Sequence, residues 1–455
     1  MSKLNQIDRR RWLQSTGMGM LGLSMSGWLP AFAQQIAADP RRQRHCILLW
    51  MGGGPSQTDT FDMKPDHENG GEFKEVATNV PGVRFSEHFP QLAKQADQLA
   101  IIRSLSTKEG DHGRGTHLMR TGQPPMGAIR YPALGAALAK QLADPDVKLP
   151  PYVSVAPFRG LNNEAFSPGF LGPKYAPLVV GGTSMNAFVN PADANNADAN
   201  GAGGFAELKV DSLAPPTGVT EARMGKRLEL WKTLENRFLQ QHPNATIRAH
   251  QSVYDNSLQM IESEASDAFD LSQEPDVVRE AYGKGTFGQG CLLARRLVER
   301  GVPFVEVSLN SLSTGGLGWD THTNNFDTVK NLSGELDAGW ATLMTELKQR
   351  GLLESTTIVW MGEFGRTPKI NGSAGRDHFP QAWSCVLAGG GIAGGQVYGK
   401  TSKDGVNVEQ DKTSVGEVLA TVCSALGVPP ETQNMSNTGR PIAIVADSPI
   451  DKLLA

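Results

Sequence analysis

Four segments of this 455-residue chain gather histidine and carboxylate side chains: Asp111-His112-Gly-Arg-Gly-Thr-His117, Trp319-Asp320-Thr-His322, Gly362-Glu363-Phe-Gly-Arg366 and Gly375-Arg-Asp377-His378. They hold four of the nine histidines. Imidazole with carboxylate is the ligand chemistry of zinc, manganese or iron, whereas carboxylates and water suit calcium or magnesium. Asp320 and His322 are two residues apart, so in an extended segment both point to one side and can reach one ion. Asp377 and His378 are adjacent and diverge, so one is expected to be a ligand while the other orients it. The competing reading is that each segment is an ordinary solvated or capped loop. His45, His67, His88, His242 and His250 read as structural or solvent-facing. A further segment, Gly52-Gly-Gly-Pro-Ser-Gln-Thr-Asp59-Thr-Phe-Asp62, has a glycine run without the Gly-Lys-Ser/Thr of a P-loop or the spacing of a dinucleotide fingerprint, so nucleotide binding is not expected.

Each of these segments follows an apolar run. His45–Met51, Leu99–Leu105, Phe304–Leu309, Thr356–Met361 and Trp383–Ala388 read as strands, and amphipathic stretches at Phe89–Gln98, Cys291–Arg300 and Glu335–Arg350 lead into three of them. Val415–Leu426 reads as a further helix. Apolar strands alternating with helices predict an α/β fold, with a mostly parallel central sheet buried on both faces and sandwiched by helices. In such a sheet, ligands bind beyond the carboxyl ends of the strands, where the polar segments fall. Cys46 and Cys385 lie inside the apolar runs and read as small buried hydrophobes, and none of the four cysteines has zinc-type spacing.

Residues 1–33 read as an address. Arg9-Arg10-Arg11-Trp12-Leu13, a mild apolar stretch and Ala31-Phe32-Ala33 resemble a twin-arginine export signal with its cleavage site. The export machinery is therefore an expected partner, and the expected location is the periplasm or the exterior. The chain carries net charge −4; residues 1–33 contribute +3 (four cations against Asp8), leaving −7 for the remainder. That charge argues against nucleic acid as a partner. No later stretch is long and apolar enough for a stable membrane span. With 39% hydrophobic and 20% charged residues, a globular protein fits. Residues 34–455 are expected to form one domain, with 183–280 a loop-rich insertion or helical cap: Asn186–Gly204 is an Asn/Ala/Asp/Gly run, followed by amphipathic stretches at Val219–Leu239 and Ser252–Phe269.

The Gly-Gly-Gly-Pro-Ser…Asp59-Thr-Phe-Asp62, Trp-Asp320-Thr-His322, Gly-Glu363-Phe-Gly-Arg-Thr-Pro, Gly-Arg-Asp377-His378-Phe-Pro and Ala388–Lys400 motifs resemble the exported bacterial family called domain of unknown function 1501. That family is placed with alkaline phosphatase-like and sulfatase-like proteins. The resemblance implies an alkaline phosphatase-like fold and metal-dependent hydrolysis of phosphate or sulfate esters, on a small-molecule or glycan substrate. The alternative is a non-catalytic periplasmic binding or assembly protein. Carried over by motif, the implied ligands of a divalent metal (zinc, manganese, calcium or magnesium) are Asp59, Asp320, His322, Glu363, Asp377 and His378, with Phe364 at a position where relatives carry a ligand. Arg114, Arg366 or Arg376 would grip anionic oxygens. His112 falls where sulfatases carry a modified Cys or Ser, as nucleophile, ligand or general acid, with His117 nearby; the competing reading leaves both only hydrogen-bonded within a glycine-rich loop.

Overall fold

The apolar runs form the middle of one eight-stranded sheet in a computed structural model. The model describes residues 44–125, 127, 129–181, 204–210, 219–241, 251, 254, 258, 260, 264–312 and 316–455. The expected export signal, and residues 186–203 of the Asn-rich run, lie outside these. The strands are β1 (His45–Met51), β2 (Leu99–Leu105), β3 (Tyr152–Val155), β4 (Leu178–Val180), β5 (Phe304–Leu309), β6 (Thr356–Met361), β9 (Trp383–Gly389) and β10 (Gln396–Tyr398). A small ribbon intervenes, with β7 (Gly365–Arg366) paired antiparallel to β8 (His378–Phe379). The sheet order is β10-β2-β9-β6-β1-β5-β3-β4. Only β9 runs against its neighbours, β2 and β6. The expected α/β class with a mostly parallel sheet is therefore what the chain adopts.

Alternation along the central strand explains why these runs are mostly apolar on both faces. Ile47, Leu49 and Met51 enter a core on one face; Cys46, Leu48 and Trp50 enter a core on the other. Each such buried aliphatic side chain contributes about 1.5–3 kcal/mol. Helices α4 (Thr286–Glu299) and α5 (Asn325–Gln349) cover the first face. Helices α1 (His112–Thr121), α2 (Leu134–Leu142) and α6 (Val415–Ala425) cover the second. The four cysteines are free and buried, and burial pushes the Cys385 and Cys423 thiols up to about 12.

Three expectations need correction. The segment His112–Thr121, read as a glycine-rich loop, is helix α1: Asp111 accepts from the Arg114 N–H as N-cap, and Gly122 ends it in the left-handed region. Its glycines cost helix propensity but let it approach the sheet edge; a Cβ on Gly115 would stand 3.0 Å from the Phe364 ring and 3.1 Å from the Glu363 carbonyl. The amphipathic stretch at 89–98 is a kinked 3-10 segment, Leu92–Gln98, broken at Gln95. In the expected cap, α3 (Glu221–Gln241) is helical, whereas the described end of the second stretch, Glu264–Phe269, is a 3-10 turn. Among the described residues, no helix is long and apolar enough to cross a membrane.

Candidate metal centre

Strands β1, β2, β5 and β6 end on one edge of the sheet, and the segments that follow them meet there. Strand β1 leads into Gly52-Gly53-Gly54. At φ +113°, Gly53 admits no side chain, since a Cβ would lie 2.3 Å from the Asp320 nitrogen. The Trp319 N–H donates to the Gly52 carbonyl at 3.0 Å, pinning the segment that carries Asp320. Strand β6 delivers Glu363 and Phe364, and the β7–β8 ribbon sets His378 opposite Arg366. The turn back into β8 is equally tight, because a Cβ on Gly375 would collide with the His322 carbonyl at 1.9 Å. The stretch after β2 brings His112 in at the first turn of α1.

The result is three imidazoles around one carboxylate. The Nε2 atoms of His112, His322 and His378 lie 3.3, 3.1 and 3.3 Å from Asp320 Oδ1. His322 Nε2 and His378 Nε2 are 3.0 Å apart. Each ring is held from behind through Nδ1, at 2.7 Å in every case. The partners are Glu363 Oε1 for His112, Asp377 Oδ1 for His322 and the Gly110 carbonyl for His378. Carboxylates and carbonyls only accept, so each Nδ1 carries a proton, and any ring without a second proton turns a bare lone pair inward. Three lone pairs around an anionic oxygen repel unless protons or a cation lie between them. Protons serve poorly here, because His322 and His378 have room for only one between their Nε2 atoms. A metal ion with bonds near 2.0–2.1 Å in tetrahedral array separates its ligand atoms by about 3.3 Å, close to the spacings observed. Donor atoms of His112, Asp320 and His378 all lie within 4.8 Å of one another. A carboxylate or carbonyl behind each imidazole is also how metal-binding histidines are usually oriented. The residues fit a divalent ion.

The electrostatics follow from the same contacts. Burial lowers the His112 pKa, but hydrogen bonds and charge from Asp320 and Glu363 outweigh it and push the ring up to about 9. Burial raises Asp320, yet the bonds from His112 and His378 and the Arg366 charge hold its carboxyl well below the usual range. The hydrogen bond from His322 lowers Asp377. The cluster is partly open: Asp320 and His378 side chains are each 27% exposed and His322 is 44% exposed, while Phe364 is fully buried. The Phe364 ring packs 4.9 Å from His112 and 4.7 Å from His378 between centroids, forming an apolar floor.

The other expected residues sort differently. Glu363 stands behind His112, its Oε1 also accepting the Gly53 N–H at 2.9 Å, while its Oε2 is buried without a partner. Asp377 stands behind His322. Asp59 is not with them: fully buried, it takes both prongs of Arg376 at 2.7 and 2.8 Å and the Asn325 amide at 2.9 Å. That pairing also removes Arg376 as an anion grip, since its other donors meet the carbonyls of Asn69, Thr367 and Pro368. Arg366 is buried, bonding the carbonyls of Gly53, Gly54 and Arg376 and, at 2.5 Å, Asp320; it fixes the carboxylate and has no side free for substrate. Arg114 is an exposed partner of Glu109. His117 lies further along α1, its Nδ1 on the Gln123 carbonyl at 3.1 Å. Sequence reasoning missed the Gly110 carbonyl, which as a backbone group leaves no signature.

A family model described as a protein of unknown function, DUF1501, matches residues 43–454. The chain belongs to the DUF1501 family. No curated protein matches this DUF1501 chain. Similar solved structures include Ps i-CgsB, 10% identical over 85% of this chain and 72% of that one, with TM-score 0.40. The PsFucS1 sulfatase from Pseudoalteromonas sp. is 11% identical over 88% and 70%, at 0.38. The alkaline phosphatase of the Antarctic bacterium TAB5 is 11% identical over 85% and 99%, at 0.35.

Proposed function

We propose that this DUF1501 protein is an exported, metal-dependent hydrolase of phosphate or sulfate esters, acting on a small-molecule or glycan ester. The observation that carries the reading is the convergence of three Nδ1-anchored imidazoles on Asp320 at the open carboxyl edge of the sheet. His112, Asp320 and His378 would hold the ion, with His322 beside them. A divalent ion there supplies Lewis-acid polarisation of a phosphoryl or sulfuryl oxygen. Glu363 keeps the proton on His112 Nδ1, Asp377 does so for His322, and Arg366 holds Asp320 in place. Phe364 excludes water from beneath, which strengthens the electrostatics above it. Residues 1–33 would direct twin-arginine export, with 34–455 the mature domain and 183–280 its insertion.

A second reading, a non-catalytic metal or ligand binder, is favoured by one observation: among the described residues, no Ser, Thr or Cys side chain is bonded to Asp320 to serve as nucleophile. Hydrolysis of chromogenic phosphate and sulfate esters, assayed with zinc, manganese, magnesium and calcium in turn, separates the two. Turnover that is lost in His112→Ala supports the hydrolase. Metal binding with no turnover under any of these ions supports the binder.

A further inference from the structure

Two arginines present the same guanidinium edge in opposite circumstances. In Arg376, Nε and Nη2 grip the two oxygens of Asp59. In Arg159, on the segment that follows β3, Nε and Nη2 are buried and meet no acceptor. The Arg159 guanidinium lies 5.7 Å from the centre of the Phe166 ring, and Arg120 lies 3.8 Å from the same ring. Arg120 is bound to Glu306 through both terminal nitrogens, and Glu306 also accepts from Tyr152 at 2.8 Å. The group thus holds two guanidiniums, one carboxylate and a phenol that burial keeps neutral. One positive charge is left over, and burial lowers the Arg159 pKa in consequence. Ser154 and Ser308 lie on the same face of β3 and β5 as Glu306, 0% and 2% exposed, and their hydroxyls also lack a partner. A sequestered cation and buried hydroxyls without partners are each costly until a ligand meets them.

We propose that Arg159, with Ser154 and Ser308, is an oxyanion subsite flanking the metal centre, taking a sulfate, phosphate or carboxylate group through its Nε/Nη2 edge. That edge supplies two parallel N–H donors, the geometry suited to such groups. The subsite and the centre share walls. Asn162, three residues beyond Arg159, donates to the Gly113 carbonyl at 2.8 Å, next to His112. Asn310 donates to the Ala156 carbonyl at 2.7 Å, and its Oδ1 stands 2.9 Å from where a Gly52 Cβ would be, next to Gly53, whose N–H meets Glu363. Calling the anion part of a substrate rests on the hydrolase reading; the subsite itself does not.

The test is calorimetric titration of the full chain with inorganic sulfate, inorganic phosphate and acetate, in wild type, Arg159→Met and His378→Ala. The three anions distinguish which oxyanion is taken. Arg159→Met is expected to weaken the best-bound anion about 10- to 100-fold with metal content unchanged. His378→Ala is expected to lose metal while holding that affinity within about threefold, since it removes no group from the subsite. Should Arg159→Met fail to fold, Arg159→Lys keeps the charge but loses the two-donor edge and should weaken binding about tenfold. No binding of any of the three anions to wild type overturns the subsite, as does an unchanged affinity in the Arg159 variants. A loss in His378→Ala equal to that in Arg159→Met also overturns it, by placing the anion on the metal centre. Anion binding that depends on Arg159 in a protein that hydrolyses no ester upholds the subsite and removes the hydrolase reading.

Discussion

Asp59 and Asp320 both follow a strand at the same sheet edge and both are bound by an arginine, yet one is closed and the other open. Around Asp59 every donor has its acceptor: Arg376 covers both oxygens and Asn325 adds a third bond, with no exposure on either side of the ion pair. Around Asp320 the count fails. Arg366 supplies a donor, and three imidazole Nε2 atoms crowd the same carboxylate oxygen while each Nδ1 proton is committed elsewhere. A balanced buried pair holds the fold, whereas an unbalanced, half-open cluster is arranged for something the polypeptide does not contain.

The comparison breaks first at Asp59. Replacing it with Ala strands the Arg376 charge in the interior and should cost about 3–5 kcal/mol in denaturant unfolding, the usual effect of removing one partner of a buried pair. Metal content per folded molecule should not change. A loss of metal at full stability would instead make Asp59 part of the centre.

Asp320→Asn should do both. Metal content should fall to background, and the metal-free variant should also lose stability at neutral pH, because buried Arg366 and the His112 ring lose their counter-charge. Glu363→Gln sharpens the distinction between holding an ion and orienting its ligand: zinc affinity should drop about 10- to 100-fold without being abolished, measured by competition with a chelator.

How much of this was legible in the sequence follows from distance along the chain. The long strands were readable because six or seven residues that are mostly apolar and buried on both faces leave a clear run. Tyr152–Val155 and Leu178–Val180 are too short to leave one. Asp320 and His322 were readable as a pair because a two-residue period places them together. The ribbon that turns His378 inward and Asp377 toward His322 was foreshadowed only as a divergence of neighbours. Asp59 misled because nothing local distinguishes a carboxylate that will meet an arginine 317 residues away from one that will meet a metal. The helix of His112–Thr121 was hidden by glycines whose value lies in tertiary approach to Phe364 and Glu363.

A smaller effect concerns pH in the metal-free protein. Because folding raises the His112 pKa to about 9, its contribution to stability is fully present below the ordinary imidazole value near 6.5 and is lost as pH rises through about 9. Metal-free wild type should therefore lose stability between pH 6.5 and 9.5, and His112→Ala should flatten that slope in thermal unfolding. Equal slopes would mean that the ring is not held by Asp320 and Glu363. The smallest effect belongs to Arg114→Ala on the exposed face of α1, which should leave melting temperature and metal content unchanged; loss of metal there would move the centre's boundary outward.

The most direct measurement is anomalous diffraction from crystals of the full chain grown with zinc or with manganese, recorded at the absorption edge of each metal. A peak is expected bounded by His112 Nε2, Asp320 Oδ1 and His378 Nε2, with bonds of about 2.0–2.2 Å, that disappears in Asp320→Asn crystals. A peak at any other place, or a cluster that stays metal-free in millimolar concentrations of both ions, would contradict the metal centre.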